Sequence, residues 1–356
     1  MKRLTLMILT LVITAGCSSA APTPTAIPPT AAPTETPQAE TEVIRVLRID
    51  SNHAEFAWSQ EIHRGIVDAL SANGFSEEAG NLTIDVKHMD TKRQTSPEYF
   101  ERIGNELTAY ITETQPDLVI ANDDNAARLV VQPLRNGDIP FVLTGINGTP
   151  EQYEFDETTN VCGILERPHT AQMATWIEQV FGEGTRLTIL AEDSPTSERM
   201  FGDGTVAATF DESSLEMGET VLTSDFEDWQ AFVENVNQTS DVLFLGAYAA
   251  LQRDNGEAVQ TLDALQWTLD NSPVPVMGFW EEAVHIGTLG GPIISGYTQG
   301  YEAALKAAAI LNGSSCAEIG FSVPPRGKLM INRNAMEHWN VQIPLDLLEV
   351  SEIVTQ

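Results

Sequence analysis

The feature that most constrains this chain is a short apolar run, residues 118–121 (Leu-Val-Ile-Ala), followed directly by polar residues. An unbroken apolar run of this length is typical of a strand that is buried on both faces of a parallel sheet. Residues 122–125 (Asn-Asp-Asp-Asn) end the strand, and residues 126–131 open a helix at once. Such a strand tip presents backbone N–H groups and short polar side chains at the carboxyl edge of the sheet, where open α/β sheets bind their ligands.

Strands and helices alternate on both sides of this run. The pattern predicts strands over 43–49, 82–89, 118–121 and 139–144 in a first half, and over 187–191, 217–223, 241–245 and 274–278 in a second half. Helices separate them, although the helix near 197–209 is weakly patterned. This alternation favours parallel sheets with right-handed crossovers, and two such halves leave a natural ligand cleft between them.

The last part of the chain has a less regular pattern. The glycine-rich residues 287–292 are expected to be flexible, and a strand over 293–296 and a helix over 298–311 follow. A further strand, a helix and a terminal segment complete the chain. With 356 residues in all, the chain has room for two domains.

The surface of the protein is strongly acidic. Nineteen Lys and Arg residues stand against 51 Asp and Glu residues, which gives a formal net charge of −32. An excess of this size repels phosphate backbones and is not attracted to anionic lipid. We therefore predict no nucleic-acid partner.

The N-terminus has the pattern of an export signal. Residues 1–16 combine Lys2 and Arg3 with an apolar stretch and end in small residues before Cys17. A Cys after Ala-Gly resembles the lipobox of bacterial lipoproteins, in which that Cys becomes the lipidated N-terminus. Thr14 stands where that pattern usually has Leu, and an ordinary signal peptide cut nearby is the alternative. Residues 17–42 hold six of the 19 prolines and predict an extended tether behind the lipidated Cys.

Reactive side chains are few and scattered. Cys162 and Cys316 can pair in an exported protein, or they can be two buried free thiols. No Cys/His spacing typical of a metal site occurs, and no GxSxG, HExxH, Walker or GxGxxG motif occurs. We therefore predict no metal, no cofactor and no enzyme activity; an exported hydrolase would need a nucleophile that the motifs do not supply.

Several motifs recur in an order that resembles a known family. They are Asp123-Asp124-Asn125-Ala126 after a strand, a strand over 140–147 that ends in Gly-x-Asn, Gly290-Gly291 before Tyr297-x-x-Gly300, and Met330-Ile331-Asn332-x-x-x-Ala335 with Ile343-Pro344. From residue 43 to about 350 the chain resembles the substrate-binding proteins of ABC transporters that have the type I periplasmic-binding fold. The most similar branch includes binders of tryptophan and other aromatic amino acids.

This resemblance implies an α/β fold of two Rossmann-like lobes whose parallel sheets are joined by a three-strand hinge. Residues 43–147 plus 293–321 would form lobe 1, and 160–278 plus 328–356 would form lobe 2. The crossings between lobes would then lie at 148–159, 279–292 and 322–327. The resemblance also implies that the protein is a monomer. Binding of the ligand would favour a closed arrangement of the two lobes.

The candidate ligand-binding residues follow strands or open the helices behind them: Ser51, Asn52, Trp58, Asp123, Asp124, Asn125, Asn147, Asp193, Ser194, Tyr248 and Trp280. Aromatic rings supply stacking faces, and carboxylates suit a ligand ammonium group. Each has a structural alternative, because Ser51, Asn125 and one of the paired Asp residues can serve as helix N-caps and Trp58 can be core. Glu281 and Glu282 are expected to be solvated.

These observations predict a lipid-anchored, extracytoplasmic solute-binding protein. It would capture a small polar ligand, amino-acid-like and including aromatic ones, and deliver it to an ABC permease in the membrane. Two alternatives remain open: a receptor that signals to a membrane histidine kinase, and a binding protein for a nucleoside or a sugar.

Overall fold

The structure is a computed structural model that describes residues 43–194, 197, 200–201 and 205–355. The predicted signal peptide, the lipidation site Cys17 and the proline-rich tether lie outside the described residues. Among the helices that are described, none is long and apolar enough to cross a bilayer.

Thirteen strands are present in the described residues. In chain order they are β1 (Ile44–Asp50), β2 (Leu82–His88), β3 (Leu118–Asn122), β4 (Phe141–Ile146), β5 (Val161–Leu165), β6 (Arg186–Ala191), β7 (Glu216–Leu222), β8 (Val242–Leu245), β9 (Val276–Gly278), β10 (Gly290–Ile293), β11 (Phe321–Ser322), β12 (Lys328–Asn332) and β13 (Glu352–Val354).

The helices lie mostly between these strands. They are α1 (Ala57–Ala72), α2 (Pro97–Thr114), α3 (Asp124–Ala126, continued by the π-helical Ala127–Val131 and by Gln132–Leu134), α4 (Thr170–Phe181), α5 (Thr205–Asp211), α6 (Phe226–Asn235), α7 (Thr261–Asn271), α8 (Glu281–Ile286), α9 (Gly296–Leu311), α10 (Cys316–Ile319), α11 (Arg333–His338) and α12 (Leu345–Val350). The predicted helix near 197–209 lies partly outside the described residues. Its described part continues to Asp211 as α5.

The first sheet has six strands in the order β11-β5-β4-β3-β1-β2, and every neighbouring pair is parallel. All five residues of β3 are buried, as its apolar run predicts. Helices α1 and α9 pack closely beside the sheet because Gly65 and Gly300 face the opposite backbone. An added Cβ at Gly65 would overlap the carbonyl oxygen of Tyr297, and one at Gly300 would overlap that of Ile62.

The second sheet has four parallel strands in the order β7-β6-β8-β9. Buried aromatic side chains fill the space beside it, including Phe244 and Phe279, whose ring centroids are 4.4 Å apart. Both sheets are therefore the parallel α/β sheets that the alternation of strands and helices predicts. Each presents a carboxyl edge with polar loop residues.

A third, smaller sheet corrects one prediction. Residues 287–292 were expected to be flexible, but β10 pairs antiparallel with β12, which pairs in parallel with β13. Gly290, at a φ of 111°, allows this close approach, because a Cβ there would overlap the Met330 carbonyl oxygen. Gly290 therefore allows the close pairing of β10 with β12.

The first sheet also reaches further along the chain than predicted. Residues 160–165 were assigned to the second lobe, yet β5 lies between β4 and β11 in the first sheet. Strand β4 runs two residues later than predicted, because Ile146 still pairs with Leu165. Cys162 of β5 and Cys316 of α10 form a disulfide with a Cα–Cα distance of 5.1 Å, which resolves the two alternatives for these thiols.

Candidate functional site

A buried carboxylate, Asp50, organises the carboxyl edge of the first sheet. Asp50 ends β1, is fully buried and forms an ion pair with Arg48. Its Oδ1 accepts hydrogen bonds from the backbone N–H of Asn52 at 2.9 Å, from Ser59 Oγ at 2.9 Å and from Asn122 Nδ2 at 3.1 Å. These contacts join β1, β3 and α1 into one polar base. Asp50 was not among the predicted site residues.

Ser51 connects three loops of this edge. Its hydroxyl donates to the Asn122 carbonyl at 2.9 Å and accepts from the Ala126 N–H at 2.8 Å. Its carbonyl accepts from Thr91 Oγ1 at 2.7 Å, and Thr91 in turn accepts from Asn125 Nδ2 at 3.0 Å. Ser51 and Asn125 therefore use their polar atoms to hold these loops together. The N-cap of α3 is Asp123, and Asn125 lies within the helix, so the N-cap alternative is wrong for Asn125. Their contact with a ligand remains a prediction.

Asp123 lies at the tip of β3 in an unusual backbone conformation, with a φ of 77°. Its Oδ1 accepts from the Asp124 N–H at 2.8 Å, and its Oδ2 accepts from Asn52 Nδ2 at 3.2 Å. Burial raises the pKa of Asp123, and the neighbouring Asp124 raises it further, whereas Lys92 opposes the shift. Asn52 and Asp123, predicted separately from two strands, are thus in direct contact.

Asp124 holds the loop that follows β4. It accepts hydrogen bonds from the backbone and side-chain nitrogens of Asn147 at 3.2 and 3.3 Å and from the Gly148 N–H at 3.0 Å. The Tyr153 hydroxyl donates to it at 2.5 Å, and burial together with this bond raises the pKa of Tyr153. Asp124 and Asn147 are therefore brought together, and their shared role in the structure is to fix this loop.

The carboxyl edges of the two sheets meet at Glu166 and Trp280. Glu166 follows β5 of the first sheet and is 9% exposed, and Trp280 follows β9 of the second. Trp280 Nε1 donates to Glu166 Oε1 at 3.3 Å. The pKa of Glu166 is raised to about 8, mainly by burial and also by the charges of Asp123, Asp124 and Glu282, whereas the hydrogen bond from Trp280 opposes the rise.

The second sheet adds Tyr248 and Glu282 to this region. Burial raises the pKa of Tyr248 to about 12, and the charge of Glu282 contributes to the shift. Burial also raises the pKa of Glu282. The prediction that Glu281 and Glu282 are solvated is wrong for Glu281, which is 6% exposed and accepts from Lys328 Nζ at 2.6 Å, and Glu282 is half-buried. Lys328 makes burial of Glu281 acceptable, because it neutralises the charge.

The family model of ABC transporter substrate binding proteins matches residues 55–354. The chain belongs to this family. None of the curated proteins matches it.

Solved structures show the fold that these substrate-binding proteins share. The ABC domain from Streptococcus pneumonia in complex with L-Trp is 16% identical with a TM-score of 0.62, and the match covers 88% of this chain and 100% of that chain. The ligand-free, open structure of a substrate-binding protein with adhesive properties from Clostridium difficile is 16% identical with a TM-score of 0.67, with the same coverage. These similarities confirm the type I periplasmic-binding fold.

In this substrate-binding protein, Trp58 belongs to the hydrophobic core and also lines a cavity. It is 8% exposed and packs in the main apolar cluster. It also lines a cavity of about 330 Å³, and its indole N–H has no hydrogen-bond acceptor among the described residues. The other cavity-lining residues are Ala57, Gln60, Glu61, Arg64, Glu281, Glu282, His285, Gly296, Lys328 and Glu352. Glu281 and Glu282 line this cavity although neither was a predicted site residue.

Asp193 and Ser194 stand apart from the other candidates. Asp193 is exposed, and its carbonyl accepts from Ser224 Oγ at 3.0 Å. Ser194 Oγ accepts from the Ser197 N–H at 3.2 Å. No contact in the described part of the chain joins either residue to Trp280 or Glu166, so their place in the site remains a prediction.

One surface group has the spacing of a metal site. Carboxylate oxygens of Asp225, Glu227 and Asp254 lie within 4.8 Å of one another, and two of these residues are exposed. This group shares no residue with the edges that meet at Glu166 and Trp280. It provides a control position for charge changes at the site.

Proposed function

We propose that this protein is an extracytoplasmic solute-binding protein that captures a small polar, amino-acid-like ligand, aromatic ones included, and delivers it to an ABC permease. The observation that carries the proposal is the hydrogen bond from Trp280 Nε1 to Glu166 Oε1, which joins the carboxyl edges of the two sheets. In open α/β sheets these edges are where ligands bind. A site formed by both edges can close on a guest molecule.

The side chains at this junction suit a ligand with an apolar body and a positive group. Trp280 and Tyr248 offer partly exposed aromatic faces, and Asp123 and Glu166 offer carboxylates. Aromatic rings stack on apolar ligands and attract cations, while a few polar groups fix orientation. This inventory supports an amino-acid-like ligand, and the relative solved with L-Trp has a ligand of this class.

We propose that the two sheets belong to two lobes that move about the segments 148–159, 279–292 and 322–327. Lobe 1 would contain 43–147 and 293–321, extended by β5, which pairs in the first sheet. Lobe 2 would contain the rest of 160–278 together with 328–356. Lipidation of Cys17 would hold the monomer at the outer face of the cell membrane, with the proline-rich segment as its tether.

Native mass spectrometry of the purified full-length protein tests the binding function. We expect a small molecule to co-purify, and a screen of amino acids, amines, nucleosides and sugars to contain compounds that raise the midpoint of thermal unfolding. Glu166→Gln should weaken the response, and Glu227→Gln, the same change on the surface, should not. No shift with any compound, together with turnover of one of them, would replace this function with an enzymatic one.

Delivery to a permease needs a separate test. Delivery predicts permease and ATPase genes beside this gene, and the loaded protein, reconstituted with their products, should stimulate ATP hydrolysis. A neighbouring histidine kinase gene in place of the permease, with autophosphorylation that responds to the loaded protein, would contradict delivery while leaving ligand capture intact.

A further inference from the structure

Two buried amides at the first sheet edge have acceptor atoms without donors. Asn52 and Asn122 are fully buried. The amide nitrogen of Asn52 lies 3.2 Å from Asp123 Oδ2, and that of Asn122 lies 3.1 Å from Asp50 Oδ1. These contacts fix both amides, because a flip would set two acceptors against each other. The oxygens Asn52 Oδ1 and Asn122 Oδ1 have no partner among the described residues.

Glu166, a carboxylate at the same junction, also has few hydrogen-bond donors around it. The only side-chain hydrogen bond that Glu166 accepts in the described chain is the neutral indole N–H of Trp280. Burial raises the pKa of Asp123, Glu166 and Glu282, and the charges of Asp123 and Glu282 both act on Glu166. Lys92, which is exposed, lowers the pKa of both Asp123 and Glu282. Acceptors therefore outnumber donors on both sides of the junction.

The arginines at the same edge are already engaged. Arg48 binds Asp50 and donates to the Ser59 carbonyl at 2.8 Å. Arg167 donates to three backbone carbonyls, those of Ile146, Glu166 and Gly148, at 3.0, 2.7 and 2.8 Å. The charge of Arg48 is offset by Asp50, and Asp124 and Glu166 are the acidic groups that act on Arg167. A ligand carboxylate would instead meet several like charges, which opposes binding.

We propose that the ligand is a small amine, with a primary ammonium group and an apolar or aromatic body, and without a carboxylate. This inference rests on the proposed function and narrows its amino-acid-like ligand to the corresponding amine. The ammonium group supplies three N–H donors to an edge rich in acceptors at Asn52, Asp123 and Glu166. The rings of Trp280 and Tyr248 contact the body of the ligand.

Binding of such a cation should release a proton. The raised pKa of Glu166, about 8, keeps much of this carboxyl protonated at neutral pH. The charged groups that act on it are Asp123, Asp124 and Glu282, and Arg167 lies beside it. A bound ammonium favours the ionised form and expels the proton. Affinity for an amine should therefore rise with pH up to about 8.

Matched pairs of probes test the proposal. We would titrate the full-length protein calorimetrically with tryptamine, phenethylamine and putrescine, and with tryptophan, phenylalanine and ornithine, which add a carboxylate to each. We expect the best amine to bind at least about tenfold more tightly than its amino acid. An amino acid that binds as tightly as its amine would overturn the inference and leave the binding function intact. Binding of only a sugar or a nucleoside would do the same, whereas no binding of any class would remove both.

Charge variants separate recognition from folding. Glu166→Gln keeps the size of the side chain and an oxygen that can accept from Trp280, so we expect it to fold and to lose about tenfold or more in amine affinity. Proton release, measured in two buffers of different ionisation enthalpy, should disappear. Glu227→Gln should stay within about twofold of the wild type. If Glu166→Gln does not fold, Glu282→Gln, a change at a partly exposed position, should show the loss of amine affinity instead. If either variant folds and binds the amine as tightly as the wild type, the proposal is overturned.

Discussion

The carboxyl edges of the two sheets are built differently. At the first, Asp50 is paired with Arg48 and accepts from three further groups on β1, β3 and α1. At the second, the buried Glu192 accepts one backbone N–H, that of Ala250 at 2.6 Å, and Tyr248 and Trp280 provide aromatic surface. Hydrogen bonds and an ion pair therefore connect the elements of the first edge to one another. The second edge mainly provides aromatic surface that a ligand can contact. The difference indicates that polar recognition belongs to the first sheet and apolar contact to the second.

The largest effect should come from removing the centre of the first edge. Asp50→Ala leaves the Arg48 guanidinium buried without its partner, and we expect it to lower the free energy of unfolding by about 3–5 kcal/mol. Glu192→Ala at the second edge removes one hydrogen-bond acceptor and should cost about 1–3 kcal/mol. Urea unfolding followed by tryptophan fluorescence measures both. Equal losses would mean that the two edges are held together to the same extent.

The junction between the edges should give stability an unusual pH dependence. The pKa of Glu166 is raised from 4.5 to about 8 in the folded protein, so between these values the folded state binds more protons than the unfolded state. This contribution to stability is complete below the lower value and is lost as pH rises toward the upper one. Relative to Glu166→Gln, the wild type should lose about 2–3 kcal/mol between pH 6 and pH 8.

Urea unfolding of both proteins at each pH measures this difference. The variant controls for all other titrating groups, since only residue 166 differs. A constant difference between the two proteins from pH 5 to pH 9 would show that Glu166 is ionised and solvated, and the two edges would then not enclose it.

The smallest effects should distinguish the two aromatic residues of the second edge. Trp280→Phe keeps a ring but removes the N–H donor to Glu166, and should lower stability by about 1 kcal/mol. Tyr248→Phe removes a hydroxyl that has no hydrogen-bond partner in the described chain, and should stay within about 0.5 kcal/mol of the wild type. Thermal unfolding at pH 7 compares the two variants. A larger loss for Tyr248→Phe would reverse the assignment of the cross-sheet contact.

Local pattern was enough to find β1 to β4 and β6 to β9, and many of their tips, but not β5, β10 or β11. The apolar run of β3 and the polar residues after it predicted a buried strand and the candidates Asp123 and Asp124. The same reasoning gave Asn52, which contacts Asp123 from another strand. These predictions succeed because the periodic spacing of apolar residues and the capping of helix ends both depend on residues that are close in sequence.

The residues that local pattern missed depend on distant partners. Glu166 becomes a site residue only because β5 joins the first sheet and Trp280, 114 positions away, reaches it. Glu281 is buried because Lys328, 47 positions away, pairs with it. Without knowledge of such a partner, the sequence pattern predicts that a charged residue in a loop is exposed to solvent. The glycines of β10 read as flexible for the same reason, since their strand partner β12 follows much later in the chain.

The most direct test of the account is a pH titration of the tryptophan indole signals in a ¹⁵N–¹H NMR spectrum. The chain has six Trp residues, and the Trp280 signal is the one that Trp280→Phe removes. Because Trp280 Nε1 donates to Glu166, this signal should shift with a midpoint near pH 8, and the shift should vanish in Glu166→Gln. A Trp280 signal that does not respond between pH 6 and pH 9 would contradict the claim that the two sheet edges meet at these residues.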